Sequence, residues 1–555
     1  MFTIFFKILI TNFFYIILGN LTYKFFFKYK NPNTIDNSIL GLIFFCFISL
    51  LINFFFPLNI IVNSSVIFLI IIIFIIKKVS LSKKDLFFLF QSSLVCFLLI
   101  LYDTEFRPDA GLYHIPFVQI LNESNIIIGL SNLHERFGHI SIIQYLSAIN
   151  FNLFTDKIGI ILPLASFCVF LYFYFFYDIY KLIKKKEGFS YGKIFSLFII
   201  IYITYKINRY GEFGNDAPAH LFIFYLISKF IYFKKNDYQN ANLIYLYSVF
   251  AFLNKIFFIF AFFLPFFIFL KNKTLFKKML LSFPSIFLLL WFLKNILISG
   301  CLIFPMKNTC FDSLKWTNMN KIESHHILAE AWAKSWPQNK NKNITIKNFS
   351  QNFNWIEAWS SKHFPYIVKI FFPYISMIFF LLIFFNYNNS TRKNNLNILI
   401  NNQKYLTLAL LAILGVGSFF LKYPIYRYGY SYMIIFSFLA LSPLYNNINV
   451  KKYIHTNKII FTLCLVVFFS KQYHRIYIYS EERTMIHEHI FIKDEIIKKN
   501  YEKVELSDLF VVFLSKNECF YYVAPCTNYM SNLNSLKSEK KFIFNTLFNN
   551  YKKQQ

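Results

Sequence analysis

Long apolar stretches of helical length recur along this chain and are separated by short polar segments. A helix needs about 20 apolar residues to cross the roughly 30 Å hydrocarbon core of a bilayer. The stretch 242–270 has basic segments at both ends, so we predict that it folds back as a hairpin, which brings the total to about 12–14 spans. The predicted membrane-spanning stretches are 2–19, 38–56, 59–76, 86–102, 158–178, 194–207, 217–233, 242–270, 279–299, 366–386, 405–422, 430–447 and 458–470.

The amino-acid composition agrees with this pattern. Of the 555 residues, 57% are hydrophobic and only 15% are charged. A soluble globular protein needs more polar side chains than this to cover its surface. We therefore expect an all-α integral membrane protein. Its four parts would be N-terminal transmembrane helices at 1–102, a large loop with an interfacial helix at 103–157, a transmembrane core at 158–470 with a second large loop at 300–365, and a tail or small domain at 471–555.

The net charge of +30 by itself suggests nucleic acid as a partner. The basic residues, however, lie mainly in short segments between the apolar stretches, where membrane orientation and anionic headgroups explain them better. We therefore expect membrane lipids, and no nucleic acid, among the partners. The positive-inside rule also places the two large loops and the tail together on the exoplasmic side.

The cysteines divide into two groups. Four lie within predicted spans: Cys46, Cys96, Cys168 and Cys464. The other four form two close pairs, Cys301 with Cys310 and Cys519 with Cys526, in segments expected to lie outside. In an oxidising compartment such pairs could be disulfides. No Cys/His cluster has the spacing of a structural zinc site.

The stretch 102–141 concentrates candidate chemistry directly after a predicted span. Asp103 and Asp109 flank an Arg-Pro pair, and His114 follows in the predicted interfacial helix, whose apolar residues are expected to face lipid. Carboxylates at the membrane surface can act as a general base, as ligands of a divalent metal, or as anchors of a helix N-terminus. The sequence leaves these three interpretations open.

Three further polar segments fall on the same predicted side. The segments 129–139 and 208–216 are either binding segments or ordinary turns. Asp216 also suits the start of a helix, in which His220 one turn later would have its hydrogen bonds satisfied within the protein. A guanidinium at 423–429 suits a phosphate or anchors the loop at the interface. The candidate substrate-binding residues are His134, Arg136, Arg209, Asp216 and Arg427.

Lys255 lies in the middle of 242–270. An ionisable residue within the membrane is costly and is therefore a functional candidate. At the tip of a hairpin, however, it would simply reach the far interface.

The motif Asp109-Ala-Gly-Leu-Tyr-His114, followed by Gly-Leu-x-Asn-Leu-His134-x-Arg136-Phe-Gly, resembles a family of bacterial polytopic membrane proteins that is similar in layout to the GT-C glycosyltransferases. The resemblance extends from about residue 100 to about 530. Glu135 and Lys334 depart from the family's pattern, so neither is a candidate. Further matching pieces are Asp216, 299–305, Trp316, 331–334, Arg427-Tyr428-Gly429, Cys519 and Pro525-Cys526-Thr527.

The resemblance implies inverting transfer of a sugar from a polyprenyl-phosphate-linked donor to a glycan or lipid acceptor of the cell envelope, at the exoplasmic face of the bacterial inner membrane. It assigns the role of a catalytic or metal-binding carboxylate to Asp109, with Asp103 or Glu105 in support. His114 or His134 would orient the acceptor hydroxyl.

The leaving phosphate gains negative charge during such a transfer, and Arg136, Arg209 or Arg427 would stabilise it. Participation of a divalent metal as cofactor is left open.

Two other functions remain alternatives. A carrier or flippase for lipid-linked saccharides would need charged residues along a path through several spans, and the spans contain few beyond Lys7, Lys206, Lys255 and Lys294. A protein similar to O-antigen polymerases or ligases would work through Arg and His. Asp109 distinguishes the three functions, because only the glycosyltransferase requires its carboxylate.

Overall fold

The structure is a computed structural model. It describes residues 1–27, 33–78, 81–102, 109–185, 190–206, 213–234, 237–270, 282–341, 343–387, 403–445, 454–481, 501–507, 510–528, 536–539 and 542–545. Three of the site residues predicted from the sequence, Asp103, Glu105 and Arg209, lie outside these ranges.

The N-terminal part contains four long helices, and polar caps set the starts of the last three. Side chains of Asn33, Asn59 and Ser82 accept backbone N–H bonds at the N-termini of the second, third and fourth helix. Polar residues between the apolar stretches thus mark where each helix begins. The helices are α1 (Phe2–Thr22), α2 (Thr34–Asn53), α3 (Ile60–Ile76) and α4 (Lys83–Ile100).

α1 and α2 cross at very short distance. A Cβ atom on Gly19 would overlap the carbonyl of Asn37, and one on Gly41 would overlap the carbonyl of Tyr15. Small residues at such a crossing let the two backbones approach, which is how many helices pack in membranes.

The first large loop folds into short elements. A π-helical turn (Ala110–His114) leads into α5 (Ile115–Glu123), and two 3-10 turns (Leu130–Asn132 and Glu135–His139) precede α6 (Ile143–Ile149). The apolar face of α5 was expected to meet lipid, but residues 115–122 are all buried within the protein. This expectation was wrong because α6 and the C-terminal tail cover the helix.

The central helices follow the predicted spans closely. The stretch 242–270 is a hairpin, as predicted: α10 ends at Asn254, and the Ser248 hydroxyl donates to the carbonyl of Ala261 on the returning limb. Lys255 therefore lies at the tip. The helices are α7 (Leu162–Lys185), α8 (Tyr191–Tyr205), α9 (Asp216–Tyr232), α10 (Tyr238–Asn254), α11 (Phe263–Leu270) and α12 (Phe283–Ser299).

The second large loop and the last spans complete the helical part. The helices are α13 (Met319–Ala333), α14 (Ile346–Ser350), α15 (Ile356–Lys362), α16 (Phe364–Tyr387), α17 (Gln403–Lys422), α18 (Tyr426–Ala440), α19 (Ser442–Tyr445) and α20 (Ile454–Tyr479). Within the described ranges, six helices are long and apolar enough to cross a membrane, and four shorter ones are also apolar. The chain is therefore a helical membrane protein.

The tail departs from the all-α expectation. β1 (Tyr501–Ser507) pairs antiparallel with β2 (Phe510–Ser515), which pairs parallel with β3 (Cys526–Thr527). β4 (Leu536–Glu539) and β5 (Phe542–Asn545) form a second antiparallel pair. We call the described residues 501–545 the cap, because they cover α5. The sequence allowed either a tail or a small domain at 471–555, and these strands show a folded unit within it.

The long loops and the cap meet at one end of the helix bundle, which we call the loop face. Asn132 Nδ2 donates to the Trp316 carbonyl at 2.8 Å, joining the first loop to the second. Trp359 Nε1 donates to the Pro424 carbonyl at 2.6 Å, joining the second loop to 423–429. Both disulfides that the sequence left open, Cys301–Cys310 and Cys519–Cys526, are present here.

Candidate functional site

Asp109 lies at the start of the π-helical turn on the loop face. Its Oδ1 lies 3.2 Å from Arg136 Nη1, and its Oδ2 lies 3.7 Å from Arg427 Nη1. One carboxylate from the first loop is thus held between two guanidinium groups, one of them contributed by the N-terminus of α18.

Asp216, the first residue of α9, is the second acid of the same cluster. Its Oδ1 lies 2.5 Å from Lys255 Nζ, and its Oδ2 lies 4.0 Å from Arg427 Nε. Arg427 therefore bridges the two carboxylates. We call Asp109, Arg136, Asp216, Lys255 and Arg427 the charge cluster.

Two tyrosines orient the cations of the charge cluster. The Arg136 guanidinium lies 5.0 Å from the Tyr113 ring and donates to the Tyr113 hydroxyl at 3.3 Å. Lys255 and Arg427 lie 4.6 Å and 5.0 Å from the Tyr428 ring. Cations are attracted to the faces of aromatic rings, so these contacts limit where the three side chains can move.

His114, at the end of the π-helical turn, stands beside the cluster. A ring nitrogen lies 2.8 Å from Gln144 Nε2. Burial lowers the pKa of His114 to about 4, in spite of the neighbouring charges of Asp109 and Asp216. The imidazole is therefore neutral at neutral pH, and it can hydrogen-bond a hydroxyl but carries no positive charge.

His134 lies behind Arg136 and is only 1% exposed. Its Nδ1 accepts a hydrogen bond from the Arg136 backbone N–H at 3.1 Å. Burial lowers its pKa to about 3. The structure thus gives His134 a part in holding the Arg136 backbone, whereas the sequence suggested substrate contact.

His220 holds the other arginine. One ring nitrogen bonds the Arg427 carbonyl and the other bonds Ser431 Oγ, each at 2.8 Å. The ring stacks on Tyr430 with centroids 3.9 Å apart. His220 is thus the satisfied histidine that the sequence allowed, and it fixes the first turn of α18.

The charge cluster is open to solvent on one side. The side chains of Asp109, Asp216 and Arg427 are 28%, 34% and 34% exposed, and that of Arg136 is 40% exposed. Lys255 is the most enclosed at 13%. The cluster can therefore contact a molecule that approaches from the loop face.

The described residues suit a metal ion poorly. None of the described His, Cys, Asp and Glu side chains forms a group of three or more that could hold one. Asp109 and Asp216 also face three cations, whose charges would repel a divalent ion.

Several functional neighbours were missed or left undecided by the sequence. Lys255 was a candidate only because it interrupts an apolar stretch. Gln144 has no local signal at all, since it matters through its contact with His114. Tyr428 was noted only as part of Arg427-Tyr428-Gly429, and the sequence did not indicate its contact with Lys255.

A sequence family described as a domain of unknown function (DUF8201) matches residues 1–434. The chain belongs to this family. The part that matches DUF8201 includes every residue of the charge cluster and ends before the cap. No curated protein and no solved structure matches the chain.

Proposed function

We propose that this chain is a glycosyltransferase that moves a sugar from a polyprenyl-phosphate-linked donor to a hydroxyl group of a cell-envelope glycan or lipid. The observation that carries the proposal is the bridge that Arg427 makes between Asp109 and Asp216. The proposal includes a GT-C-like layout of about 12–14 spans and a loop face on the exoplasmic side of the bacterial inner membrane. The two disulfides of the loop face support an oxidising compartment.

The charges of the cluster match those of the proposed donor. Three cations and two carboxylates leave one positive charge, and the phosphodiester of the donor carries one negative charge. When the sugar leaves, the phosphate monoester gains a second negative charge. If Asp109 takes the proton of the acceptor at the same time, the cluster with its ligand is neutral before and after transfer.

The reaction would proceed by direct displacement. Asp109 accepts the proton of the acceptor hydroxyl, whose oxygen forms a bond to the anomeric carbon. The bond from that carbon to the phosphate oxygen breaks, and its electron pair stays on the polyprenyl phosphate. Arg136, Lys255 and Arg427 stabilise the charge that develops there, as fixed donors do in other transfer reactions.

The neutral His114 and its partner Gln144 suit a sugar hydroxyl. Both can donate or accept a hydrogen bond without adding charge. They lie beside the carboxylate that would act as the base, which is where the acceptor must be oriented.

The alternative of a carrier receives less support. Lys7 pairs with Asp156 at 2.8 Å and Lys206 contacts the Tyr366 hydroxyl at 3.4 Å, both at the loop face, and Lys255 lies at the hairpin tip. Of the four lysines considered for a path, Lys294 remains within a span, buried in α12. One buried lysine does not make a charged path across the bilayer.

The proposal is tested by turnover of a radiolabelled polyprenyl-phosphate sugar in membranes that contain the wild-type protein or Asp109→Asn at equal amounts. Loss of a general base is expected to lower turnover by about 10²-fold or more. The matched control is Asp156→Asn, an exposed acid that pairs with Lys7 away from the cluster. Equal turnover by the Asp109→Asn variant would remove Asp109 from the mechanism, and no turnover by the wild type on several donors would favour the carrier.

A further inference from the structure

The disulfide loop of the cap lies against the backbone that carries Asp109. The N–H groups of Cys519 and Phe520 both donate to the Gly111 carbonyl, each at 2.9 Å. Gly111 belongs to the π-helical turn and follows Asp109 by two residues. Two donors on one carbonyl hold this turn from outside the helix bundle.

The contact leaves no space for a side chain. A Cβ atom on Gly111 would lie 2.8 Å from Glu518 Cβ and 2.8 Å from two carbons of the Phe520 ring. Real Cβ atoms do not approach this closely, so glycine is needed for the backbone of the turn to meet the cap. The turn and the cap are therefore fitted to one another.

The residue directly after this disulfide loop reaches the segment of Arg136. Thr527 Oγ1 donates to the Leu133 carbonyl at 3.3 Å, directly before His134 and close to Arg136. The Tyr521 hydroxyl donates to Asn122 Oδ1 at 3.2 Å, near the end of α5. The Cys519–Cys526 disulfide closes the loop between these contacts. One covalent loop thus spans the two segments whose side chains form the Asp109–Arg136 ion pair.

We propose that the cap is a positioning element of the site: its Cys519–Cys526 loop sets the distance between the segments that carry Asp109 and Arg136. The effect that the cap would have on activity rests on the proposed function. Its effect on the distance between the two segments does not depend on that function. The contacts described above join the cap to the backbone of these segments, at the carbonyls of Gly111 and Leu133, so Phe520 and Thr527 are positioning residues. The cap also lies beyond residue 434, outside the part of the chain that matches DUF8201.

The test uses hydrogen exchange of the full-length protein in nanodiscs, read by mass spectrometry. Gly111→Ala should force the cap away and raise exchange at least about fivefold in peptides covering 109–123 and 130–139, because local opening becomes easier. Adding Phe520→Ala removes two of the three close contacts and should restore part of the protection. Thr527→Val should raise exchange in 130–139 only.

The matched control is Lys503→Gln, on β1. Lys503 is 58% exposed and pairs with Glu505 within the cap, so its loss should leave both peptides unchanged. If Gly111→Ala unfolds the whole protein, exchange rises in α7 as well. In that case the result of Thr527→Val decides whether the proposal holds. Unchanged exchange of 130–139 in Thr527→Val, or of both peptides in Gly111→Ala, overturns the proposal.

Donor turnover of the same variants separates the two proposals. A positioning role predicts that kcat falls about tenfold or more while KM for the donor changes less, since small displacements of reacting groups are costly. If the wild type turns over no donor but exchange responds as expected, the proposed function fails and the positioning role of the cap stands. If turnover depends on Asp109 but neither exchange nor kcat responds to the cap variants, only the positioning role fails.

Discussion

Lys255 Nζ lies 2.5 Å from Asp216 Oδ1, so the tip of the α10 hairpin is tied to the first turn of α9. Lys255→Met keeps most of the side-chain volume but leaves Asp216 with Arg427 alone. We expect about 1–2 kcal/mol less stability, because the pair is partly shielded from water. Donor turnover should fall about tenfold.

The checks on Lys255→Met are the thermal midpoint in detergent and donor turnover. Lys206→Met is the matched control, since this lysine contacts the Tyr366 ring and hydroxyl outside the charge cluster. Turnover of Lys255→Met equal to that of the control would contradict a role for Lys255 in the site.

Arg427 should not be replaceable by lysine. Its planar guanidinium reaches both Asp109 and Asp216, whereas an ammonium group is a point charge that can approach one of them. We expect Arg427→Lys to lower turnover by about 10²-fold with the protein still folded. Lys422→Gln, which removes the ion pair of Lys422 with Glu330, serves as the control. An Arg427→Lys variant with near wild-type turnover would show that the bridge is not needed.

Acid should destabilise the loop face before the carboxylates titrate. Burial lowers the pKa of His114 and His325 to about 4 and that of His134 to about 3, whereas the ordinary value is 6.5. Between these values the unfolded chain binds protons that the folded protein does not, so stability falls as pH falls. Each histidine contributes at most about 1.4 kcal/mol per pH unit.

The measurement for this prediction is the thermal midpoint in detergent between pH 7.5 and 5, above the ordinary range of carboxylates. The midpoint should fall with pH, and His325→Gln should make the fall less steep. A constant midpoint over this range would show that the three histidines titrate normally in the folded protein.

The cysteines should separate into two chemical classes. Four thiols are free and buried, those of Cys46, Cys96, Cys168 and Cys464. Maleimide added to the denatured, unreduced protein should therefore label four residues, and labelling after reduction should reach all eight. Mass spectrometry counts the labels, and Cys464→Ser should lower both counts by one. Eight labels without reductant would mean that neither disulfide forms in the cell.

A chelator should leave donor turnover unchanged. The charge cluster supplies three cations for the phosphate, so the described side chains already neutralise it. Turnover of the purified protein in detergent solution containing Mg²⁺, with and without excess EDTA, checks this expectation. Loss of turnover with EDTA and recovery with Mg²⁺ would show that a divalent ion helps to stabilise the charge of the phosphate.

The sequence alone located the long helices of this protein, although it placed some of their ends several residues away, as with 458–470 inside Ile454–Tyr479. The prediction 217–233 compares with Asp216–Tyr232, and 405–422 compares with Gln403–Lys422. The physical reason is that a bilayer leaves backbone groups no water to bond, so a long apolar stretch has to be helical within itself. The hairpin at 242–270 followed in the same way from the basic segments at its two ends.

The sequence also identified most of the charge cluster as polar groups in segments that were otherwise apolar. Asp109, Arg136, Asp216 and Arg427 were all candidates, and the structure brings the four together. The sequence could not pair them, because each lies at the end of a different element and hydrophobic patterning does not say which ends are neighbours.

The tertiary structure decided the remaining features. These are the burial of α5, the hydrogen bond by which His134 holds the Arg136 backbone, and the fit of the cap on Gly111. They depend on how the segments of the loop face pack together. Local sequence determines the helix that each span must form, since that constraint acts within one segment. The site arises where several segments pack together, and long-range packing has no signature in any one of them.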